Sequence, residues 1–368
     1  MKRSMSYSES DHAHKKPKTE DDASDSSTMT SPFTSRIPES DLWTVTRFLG
    51  KGSYGSVHLA ERTTKGKEAY LPQEMVIKTT ELSQSSQLQN EKRFLKLLET
   101  NPYVVSYHGK KITHDKKTKK AYYNTILEYC PSQCLAKHIK RHNGIGLPEE
   151  DVKRFALDIL IGLRYTHAKK IIHCDIKPKN ILLADESTGL RGPNGLFAKI
   201  SGFGKAMEKG STEYGDGWGH RRGTTRFMSP ELIVDKVLDY GVDVWAFGCT
   251  VLEMLTGERV WSEHGELVWE DWIDLIGVSD LVPYMPGALS EEAKDFVSKC
   301  LEKEPSERWS VDSLMKHPFL SWTNQYAEEE EEEEEEEIFD EEEEEVYEEE
   351  AIEIDEEYPK EDWEEEDL

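Results

Sequence analysis

The chain from residue 43 to residue 130 is patterned in short runs of alternating apolar and polar residues, separated by glycine-rich turns. Five runs share this pattern: TVTRFLG, SVHLAER, EMVIKTT, VVSYHGKKI and YYNTILEYC. Such runs predict β-strands, and the turns between them favour an antiparallel sheet. Between the third and fourth runs, SSQLQNEKRFLKLL spaces Leu88, Phe94, Leu95 and Leu98 at helical intervals, which predicts a helix with one apolar face.

Beyond Pro148 the apolar spacing becomes helical. Four segments carry it: EEDVKRFALDILIGLRYTHA, DYGVDVWAFGCTVLEMLTG, SEEAKDFVSKCLE and SVDSLMKHPFL. A sheet-rich first part and a helix-rich second part predict an α+β fold of two lobes that meet at a cleft. The insert DESTGLRGPNGLF lies between the predicted strands ILLA and AKIS and is interpreted as an enlarged hairpin loop.

Both ends of the chain lack a pattern that could build a core. Residues 1–40 are rich in Ser, Thr, Asp and Lys, and we expect a disordered arm. Residues 41–322 form the predicted folded domain, and residues 323–368 a disordered acidic tail. Within the arm, Lys2-Arg3 and Lys15-Lys16-Pro17-Lys18 resemble a two-part nuclear import signal, although solvated basic clusters often have no such function.

The charge of the chain is concentrated in the tail. Residues 328–368 contain 29 acidic residues and one Lys, a balance equal to the formal net charge of −28 for the whole chain. The remaining residues are therefore neutral overall and give no reason to expect direct nucleic-acid binding. The tail is interpreted either as a solubilising segment, as a docking arm for a basic partner such as a histone or a substrate kinase, or as a competitor for the protein's own substrate groove.

Cysteine usage and hydropathy bear on the compartment. The five cysteines are scattered and form no CxxC pair, which suits a reducing environment. No run of 18 or more apolar residues exists, and the start, MKRSMSYSES, lacks the apolar core of a secretory signal. We expect a soluble protein without a membrane segment, located in the cytoplasm and, if the basic clusters act, in the nucleus.

Three glycines stand between the first two predicted strands, in the run Gly50-Lys51-Gly52-Ser53-Tyr54-Gly55-Ser56-Val57. Backbone amides in such a run can approach phosphate oxygens without obstruction from side chains. A dinucleotide-binding turn would open a helix instead, whereas SVHLAER predicts a strand. A flexible hairpin without a ligand remains an alternative at this point.

A lysine and a glutamate follow in the next two elements. Lys78 ends the run MVIK on a predicted strand, and Glu91 lies on the following helix. A lysine held by a carboxylate can steady the oxygens of a nucleotide. For a Lys and Glu pair taken alone, a solvated salt bridge is an equally simple interpretation.

The strongest local signal is His173-Cys174-Asp175-Ile176-Lys177-Pro178-Lys179-Asn180. It resembles the catalytic loop of protein kinases, HRDxKxxN. The resemblance implies that Asp175 accepts the proton of the substrate hydroxyl, that Lys177 neutralises charge on the transferred phosphoryl group and that Asn180 holds Mg²⁺. A lysine at position 177 is typical of the serine/threonine kinds.

Three further matches follow in family order. Gly223-Thr224-Thr225-Arg226-Phe227-Met228-Ser229-Pro230-Glu231 resembles the substrate-docking loop, Asp243-Val244-Trp245-Ala246-Phe247-Gly248 resembles the central helix of the large lobe, and Arg308 resembles the partner of Glu231. These three matches imply structural roles. The resemblance covers about three quarters of the chain, and three strings, HCDIKPKNILL, RGTTRFMSPEL and DVWAFGCTVLEMLTG, look most like plant kinases of the mitogen-activated protein kinase kinase kinase group.

The resemblance implies a two-lobed kinase fold with ATP and Mg²⁺ as ligands. The small lobe would span residues 41–130, with an antiparallel sheet and the helix of Glu91 as αC, and the mostly helical large lobe would span residues 131–322. The implied nucleotide-binding residues are Gly50, Lys51, Gly52, Ser53, Gly55, Val57, Val76, Lys78, Glu91, Glu128 and Cys130.

One departure from the family affects the metal. The family has Asp-Phe-Gly before its activation segment, whereas this chain has Gly202-Phe203-Gly204. A glycine offers no side-chain oxygen to Mg²⁺, so Asn180 is the one matched metal ligand left. Two interpretations compete: an enzyme that is weakened or unconventional, and a pseudokinase that uses the fold for binding.

A second departure is Cys174, which stands where many kinases have an arginine that grips a phosphorylated activation segment. We therefore expect less control by phosphorylation of that segment. The candidate sites are Ser211, Thr212 and Tyr214, whereas the resemblance places Thr224 against Asp175 and Lys177. A reactive-thiol role for Cys174 is an alternative for which the sequence holds no sign of a lowered pKa.

Three hypotheses about function follow. The first is a serine/threonine protein kinase that uses MgATP and acts on a protein, such as a downstream kinase, in a signalling role. The second is a pseudokinase scaffold that binds nucleotide or partner proteins. The third is a binder of histones or other basic partners that rests on the acidic tail alone.

Overall fold

A five-stranded antiparallel sheet forms the small lobe of the computed structural model, which describes residues 40–52, 55–63, 71–185, 195–211 and 223–321. The strands follow the spatial order β1-β2-β3-β5-β4. Their bounds are β1 Trp43–Gly52, β2 Gly55–Arg62, β3 Glu74–Glu81, β4 Tyr107–His114 and β5 Ala121–Leu127. The predicted antiparallel sheet is confirmed.

Helix α1, Ser86–Leu97, packs against this sheet through one face. Leu88, Phe94 and Leu95 are buried on that face, as their spacing predicted, and they are joined by the carboxylate of Glu91. The burial of a glutamate among apolar neighbours requires a partner for its charge, because an isolated buried carboxylate is strongly unfavourable.

The fourth strand begins later than its sequence pattern suggested. Val104 and Val105 were expected in the strand, but β4 begins at Tyr107. The two valines are buried and pair with Ile200 instead, where Val105 N donates to the Ile200 carbonyl at 2.9 Å. A pair of valines can be buried in the core of either lobe. Here they are buried in the larger core of the second lobe.

Helices dominate the large lobe. Their bounds are α2 Leu135–Arg141, α3 Glu149–Ala168, α4 Pro230–Ile233, α5 Gly241–Thr256, α6 Trp269–Trp272, α7 Glu291–Cys300 and α8 Val311–Met315, with a π-helix over Ile273–Val278 after α6. Helix α5 contributes the largest number of buried residues, thirteen of its sixteen, and Gly241, Glu253 and Thr256 are partly exposed. The helix therefore lies at the centre of the lobe, as the resemblance of Asp243–Gly248 to the central helix of the family implied.

Two short antiparallel ribbons lie beside the cleft. Strand β6, Ile171–Ile172, pairs with β9, Met207–Glu208, and β7, Ile181–Asp185, pairs with β8, Leu196–Ile200. The β7–β8 hairpin confirms the predicted pairing of ILLA with AKIS. These ribbons position the loops that precede β7 and follow β8, which hold most of the candidate site.

A buried ion pair closes the lower part of the large lobe. Arg308 donates to both oxygens of Glu231, at 2.6 and 3.0 Å, and its side chain is fully buried. The two residues are 77 positions apart, so this contact ties α4 to the segment after α7, as the resemblance implied. Among the described residues, no helix has the length and apolar character needed to cross a membrane.

Several predictions concern residues outside the described ranges. They are the N-terminal arm with its basic clusters, Ser53 and Tyr54, the insert between β7 and β8, Thr212 and Tyr214, and the acidic tail.

Candidate active site

The glycine-rich run forms the hairpin between β1 and β2. Gly50 pairs with Val57, Lys51 with Ser56 and Gly52 with Gly55. A side chain at Gly55 would collide with the backbone of Thr79 on β3, so only glycine allows β2 and β3 to approach this closely. The backbone of the described glycines is thereby held at the edge of the sheet, without side chains that would keep a phosphate away.

Lys78 and Glu91 meet between the sheet and α1. Lys78 Nζ lies 2.6 Å from Glu91 Oε1, and the glutamate side chain is almost fully buried. Lys78 stands opposite Val57 on β2 and Thr125 on β5, in the middle of the sheet. The ion pair therefore provides the partner that the buried carboxylate needs, and it fixes the ammonium group beneath the glycine-rich hairpin.

Residues 128–130 connect the two lobes. The carboxylate of Glu128 is bound at 2.7 and 2.8 Å by Lys199 Nζ on β8 and accepts from Ser106 N at 2.9 Å. These contacts occupy the carboxylate, and Glu128 N donates to the Ser106 carbonyl at 3.0 Å, so both groups are held within the protein. Cys130 is buried, and burial raises the pKa of its thiol to about 12. Val76 is partly buried against the core of the large lobe.

The backbone of the catalytic loop is held by one carboxylate of α5. Asp243 accepts from His173 N at 2.8 Å and from Cys174 N at 2.9 Å, and His167 Nε2 lies 3.0 Å from the same group. Asp243 is completely buried. A buried carboxylate that binds several donors fixes its neighbours firmly, because removing it leaves those donors without partners.

The side chain of His173 continues this frame. Burial lowers the pKa of His173, so the imidazole is neutral. Its Nδ1 accepts from Asp175 N at 3.1 Å, and its Nε2 therefore donates to the Ser201 carbonyl at 3.0 Å. The ring also packs edge-on against Phe203. One histidine thus joins the catalytic loop to the segment after β8.

Asp175 lies at the centre of four side chains. Its carboxylate accepts from Thr224 Oγ1 at 2.9 Å and lies 3.1 Å from Lys177 Nζ, 3.5 Å from Lys205 Nζ and 3.1 Å from Asn180 Nδ2. Lys177 also donates to Thr224 at 2.5 Å. The contact of Thr224 with Asp175 and Lys177 that the resemblance implied is present.

The protonation state of Asp175 follows from these contacts. Burial alone would raise the pKa of Asp175, but the charges of Lys177 and Lys205 and the hydrogen bond from Thr224 outweigh it and lower the pKa below its usual value. The carboxylate is therefore ionised at neutral pH. An ionised carboxylate can accept a hydrogen bond from a hydroxyl and take its proton as the hydroxyl oxygen forms a new bond.

Asn180 and Gly202, the two positions that the resemblance matches to metal ligands of the family, lie next to each other. Gly202 has a left-handed backbone with φ of 87°, and a Cβ there would lie 2.8 Å from Cγ and Oδ1 of Asn180. The Asn180 amide nitrogen donates to the Asp175 carbonyl at 2.7 Å as well as to its carboxylate. The asparagine therefore occupies the space in which a side chain at position 202 would begin.

This arrangement does not fit the Mg²⁺ ligand set that the resemblance implies. Hard cations need several oxygen ligands, and of the two matched positions Asn180 supplies one amide oxygen and Gly202 supplies none. No group of three or more His, Cys, Asp or Glu residues that could hold a metal ion occurs in the part of the chain that the structure describes.

The segment after Gly202 nevertheless keeps its packing. Phe203 is completely buried. On the other side, Asn90 of α1 donates to the carbonyls of Gly204 at 3.1 Å and Ala206 at 3.0 Å. The helix that holds Glu91 is therefore bound to this segment, although position 202 has no side-chain carboxylate.

Cys174 adopts a left-handed backbone with φ of 63° and is almost fully buried. The Asp243 contact to its amide holds this conformation, which most residues disfavour. Its thiol lies 3.5 Å from the Ile172 carbonyl. The position thus contributes to the shape of the catalytic loop.

Two lysines of the site were not singled out from the sequence. Lys205 reaches Asp175 from the activation segment, and Lys199 binds Glu128. A lysine within the apolar strand LFAKI is a signal that could have indicated Lys199, because a charged residue on a buried strand needs a partner. Lys205 had no such signal, since polar residues are common in a loop.

Comparisons with known proteins agree with this geometry. Residues 43–320 match the family model described as protein kinase domain. Mitogen-activated protein kinase kinase kinase 20 of Arabidopsis thaliana is 34% identical over 279 residues, which cover 76% of this chain and 78% of the relative. Mitogen-activated protein kinase kinase kinase 18 of the same plant is 36% identical over 290 residues, with coverage of 76% and 77%. Mitogen-activated protein kinase kinase kinase ANP1 is 29% identical over 283 residues, which cover 76% of this chain and 40% of the relative.

Proposed function

The chain is a serine/threonine protein kinase and belongs to the protein kinase domain family, and from this premise we propose that it transfers the γ-phosphate of ATP to a protein hydroxyl through Asp175 and Lys177. Members of the family use ATP as substrate and Mg²⁺ as cofactor.

A single observation carries the proposal: the Asp175 carboxylate lies 3.1 Å from the Lys177 ammonium, on a loop whose backbone Asp243 fixes. This is the pair that phosphoryl transfer needs, a proton acceptor beside a positive charge. The ion pair of Lys78 with Glu91 supplies a second fixed charge on the nucleotide side.

The substrate oxygen forms a bond to the γ-phosphorus, the bond from that phosphorus to the β,γ-bridging oxygen breaks, and ADP leaves. The hydroxyl proton moves to the Asp175 carboxylate. Lys177 contacts both Asp175 and Thr224, so its ammonium is positioned to bind the transferred group during the step.

The test compares phosphoryl transfer by the natural chain, Asp175→Asn and Gly202→Asp, with ATP binding measured on each. A proton acceptor of this kind contributes about 10²- to 10⁴-fold to the rate, so Asp175→Asn should lose activity by that factor while it still binds ATP. If the natural chain and Asp175→Asn both lack measurable phosphoryl transfer, the proposal is wrong.

A second candidate function is a pseudokinase scaffold that binds nucleotide or partner proteins, and the absence of a side-chain oxygen at Gly202 favours it. Under this alternative, Gly202→Asp is active while the natural chain and Asp175→Asn are equally inactive. The same three proteins therefore distinguish the two candidates.

The role in the cell is also a proposal. The names of the Arabidopsis relatives support a signalling role in which this kinase phosphorylates a downstream kinase. Incubation with purified kinases of the mitogen-activated protein kinase kinase type, and mapping of the modified residues, tests it. Phosphorylation of none of them would argue against this role.

The acidic tail and the location complete the proposal. We propose that residues 328–368 bind a basic partner, such as a histone or a substrate kinase, and that the protein works in the cytoplasm and in the nucleus. Deletion of the tail should abolish salt-sensitive capture of purified histones or raise activity. If neither histone capture nor activity changes, the tail does not have this role. If the protein is found in the cytoplasm and is excluded from the nucleus, the proposal of a nuclear location is wrong.

A further inference from the structure

Lys205 is the one lysine among the described residues that reaches Asp175 from the segment after Gly202. It ends the short 3₁₀ turn Phe203–Lys205 and follows Gly202 by three positions. Its Nζ donates to the Gly223 carbonyl at 2.7 Å and lies 3.5 Å from Asp175 Oδ1. The side chain is only 17% exposed.

The charges at this place differ from those of a site built for a metal. The Asp175 carboxylate is contacted by two ammonium groups, Lys177 and Lys205, so these three groups together carry one net positive charge. A site with an aspartate at position 202 would carry one negative charge more, which a divalent cation could neutralise. Gly202 removes that charge, and Lys205 adds a cation on the same segment.

Lys205 and Asn180 contact different oxygens of the Asp175 carboxylate. The Asn180 amide, the matched metal ligand, contacts the Oδ2 atom of Asp175, while Lys205 contacts its Oδ1 atom. The Asp175 carboxylate therefore lies between the Lys205 ammonium group and the amide of Asn180. The electrostatic requirement of a nucleotide there is positive charge against its terminal phosphates, and an ammonium group can supply it as a point charge.

The geometry points to Lys205 as a phosphate-binding residue that takes over the charge of the missing metal site, so that this protein binds ATP without requiring a divalent cation. This inference rests on the proposed function, because it assumes that the nucleotide lies between Lys78 and Asp175. On binding, phosphate oxygens replace the Gly223 carbonyl as the partner of the Lys205 ammonium.

Burial of the lysine supports this assignment. Burial lowers the pKa of Lys205, and the Asp175 charge opposes that effect. An ammonium group held in a partly desolvated place interacts more strongly with an incoming anion than one in water does. Lys209, four positions further along the chain, offers a contrast: its side chain is 41% exposed and pairs with Asp239 at 2.5 Å.

The test measures dissociation constants of ATP and of AMP for the full chain, in MgCl₂ and in EDTA. For the natural chain, we expect the ATP constant to differ by less than about threefold between the two conditions. A charged hydrogen bond is worth about tenfold to a hundredfold in affinity, so Lys205→Met should weaken ATP in EDTA by that factor. AMP lacks the terminal phosphates and should change by less than about twofold.

Three control variants make the test decisive. Lys209→Met removes a lysine of the same segment and should bind ATP as the natural chain does, and Lys205→Arg keeps the charge and should stay close to it. Gly202→Asp adds a negative charge, so its ATP affinity should fall in EDTA and recover in MgCl₂. A structural effect of Lys205→Met would weaken AMP and ATP equally and would overturn the assignment.

The remaining outcomes separate this inference from the proposed function. If Lys78→Met abolishes ATP binding while Lys205→Met matches Lys209→Met, the nucleotide site stands and the role of Lys205 is wrong. A tenfold or greater loss of ATP affinity of the natural chain in EDTA also overturns the inference. If ATP binds under neither condition, the proposed function fails with it.

Discussion

The catalytic loop contains the Asp175 carboxylate, and the segment after β8 contacts it through Lys205. The two regions differ in the chemical groups that they carry. The loop His173–Asn180 contains the Asp175 carboxylate, the Lys177 ammonium group and a backbone fixed by Asp243. The segment Gly202–Lys205 has no side-chain oxygen at its first position, yet Phe203 is fully buried and Lys205 reaches Asp175.

The difference teaches that packing and ligand chemistry in this fold are separable. Phe203, His173 and the amide of Asn90 connect the segment to both lobes through apolar and neutral contacts. None of these contacts depends on the side chain at position 202. A change of that residue can therefore alter what binds in the site while the surrounding frame stays assembled.

The largest effect is expected on the side of the catalytic loop. Asp243→Ala removes the acceptor of the His173 and Cys174 amides in a fully buried place, which should lower the free energy of unfolding by about 4 kcal/mol. Urea denaturation measures it. Asp239→Ala, a half-exposed aspartate close by in the chain, should cost less than about 1 kcal/mol. Equal effects of the two variants would break the claim that the loop depends on this anchor.

A pH-dependent effect of similar size is expected at the other end of helix α5. Burial raises the pKa of Glu253 from 4.5 to about 7, although a hydrogen bond from Val260 N and the charges of Arg259, Arg226 and Lys179 oppose it. Because the folded protein holds this proton more tightly than the unfolded chain does, the stability that Glu253 contributes is complete below pH 4.5. It is lost as the pH rises through about 7, and the loss amounts to about 3 kcal/mol.

The matching variant for this prediction is Glu253→Gln, which keeps an oxygen for Val260 N and cannot ionise. Its free energy of unfolding, measured by urea denaturation between pH 5 and pH 8, should gain on that of the natural chain as the pH rises. Glu258→Gln, an exposed carboxylate just after the helix, serves as the control. Parallel pH profiles of the natural chain and Glu253→Gln would contradict the prediction.

A smaller effect is expected at the changed position itself. Gly202→Ala places a Cβ against Asn180 in a left-handed backbone, which should cost about 1 to 2 kcal/mol. Gly287→Ala is the matched control, because it has open space and no left-handed backbone. Thermal denaturation compares the two, and a cost as small as that of the control would show that Asn180 leaves the space freely.

The smallest effect is expected at the contact between the segment and α1. Asn90→Ala removes the donor to the Gly204 and Ala206 carbonyls and should lower stability by about 1 kcal/mol. Lys96→Ala, on an exposed position of the same helix, should leave stability unchanged. A loss above about 3 kcal/mol would mean that the segment depends on this one amide, against the view that buried Phe203 holds it.

Much of the site could be predicted from the sequence, because its residues lie close together in the chain. Asp175, Lys177 and Asn180 belong to one loop, and the run of glycines belongs to one hairpin, so their spacing is preserved in the sequence itself. The start of β4 was not readable, because Val104 and Val105 are equally suited to either lobe and their partner, Ile200, is far away in the chain.

The sequence by itself determined the two lobes, the residues of the catalytic loop and the glycine at position 202, because these follow from local periodicity and from motifs of contiguous residues. Only the tertiary structure decided which second cation contacts Asp175. Lys205 and Asp175 are 30 residues apart and meet at 3.5 Å, a distance set by the packing of Phe203 and by the turn that follows Gly202. No periodicity in the chain encodes such a contact.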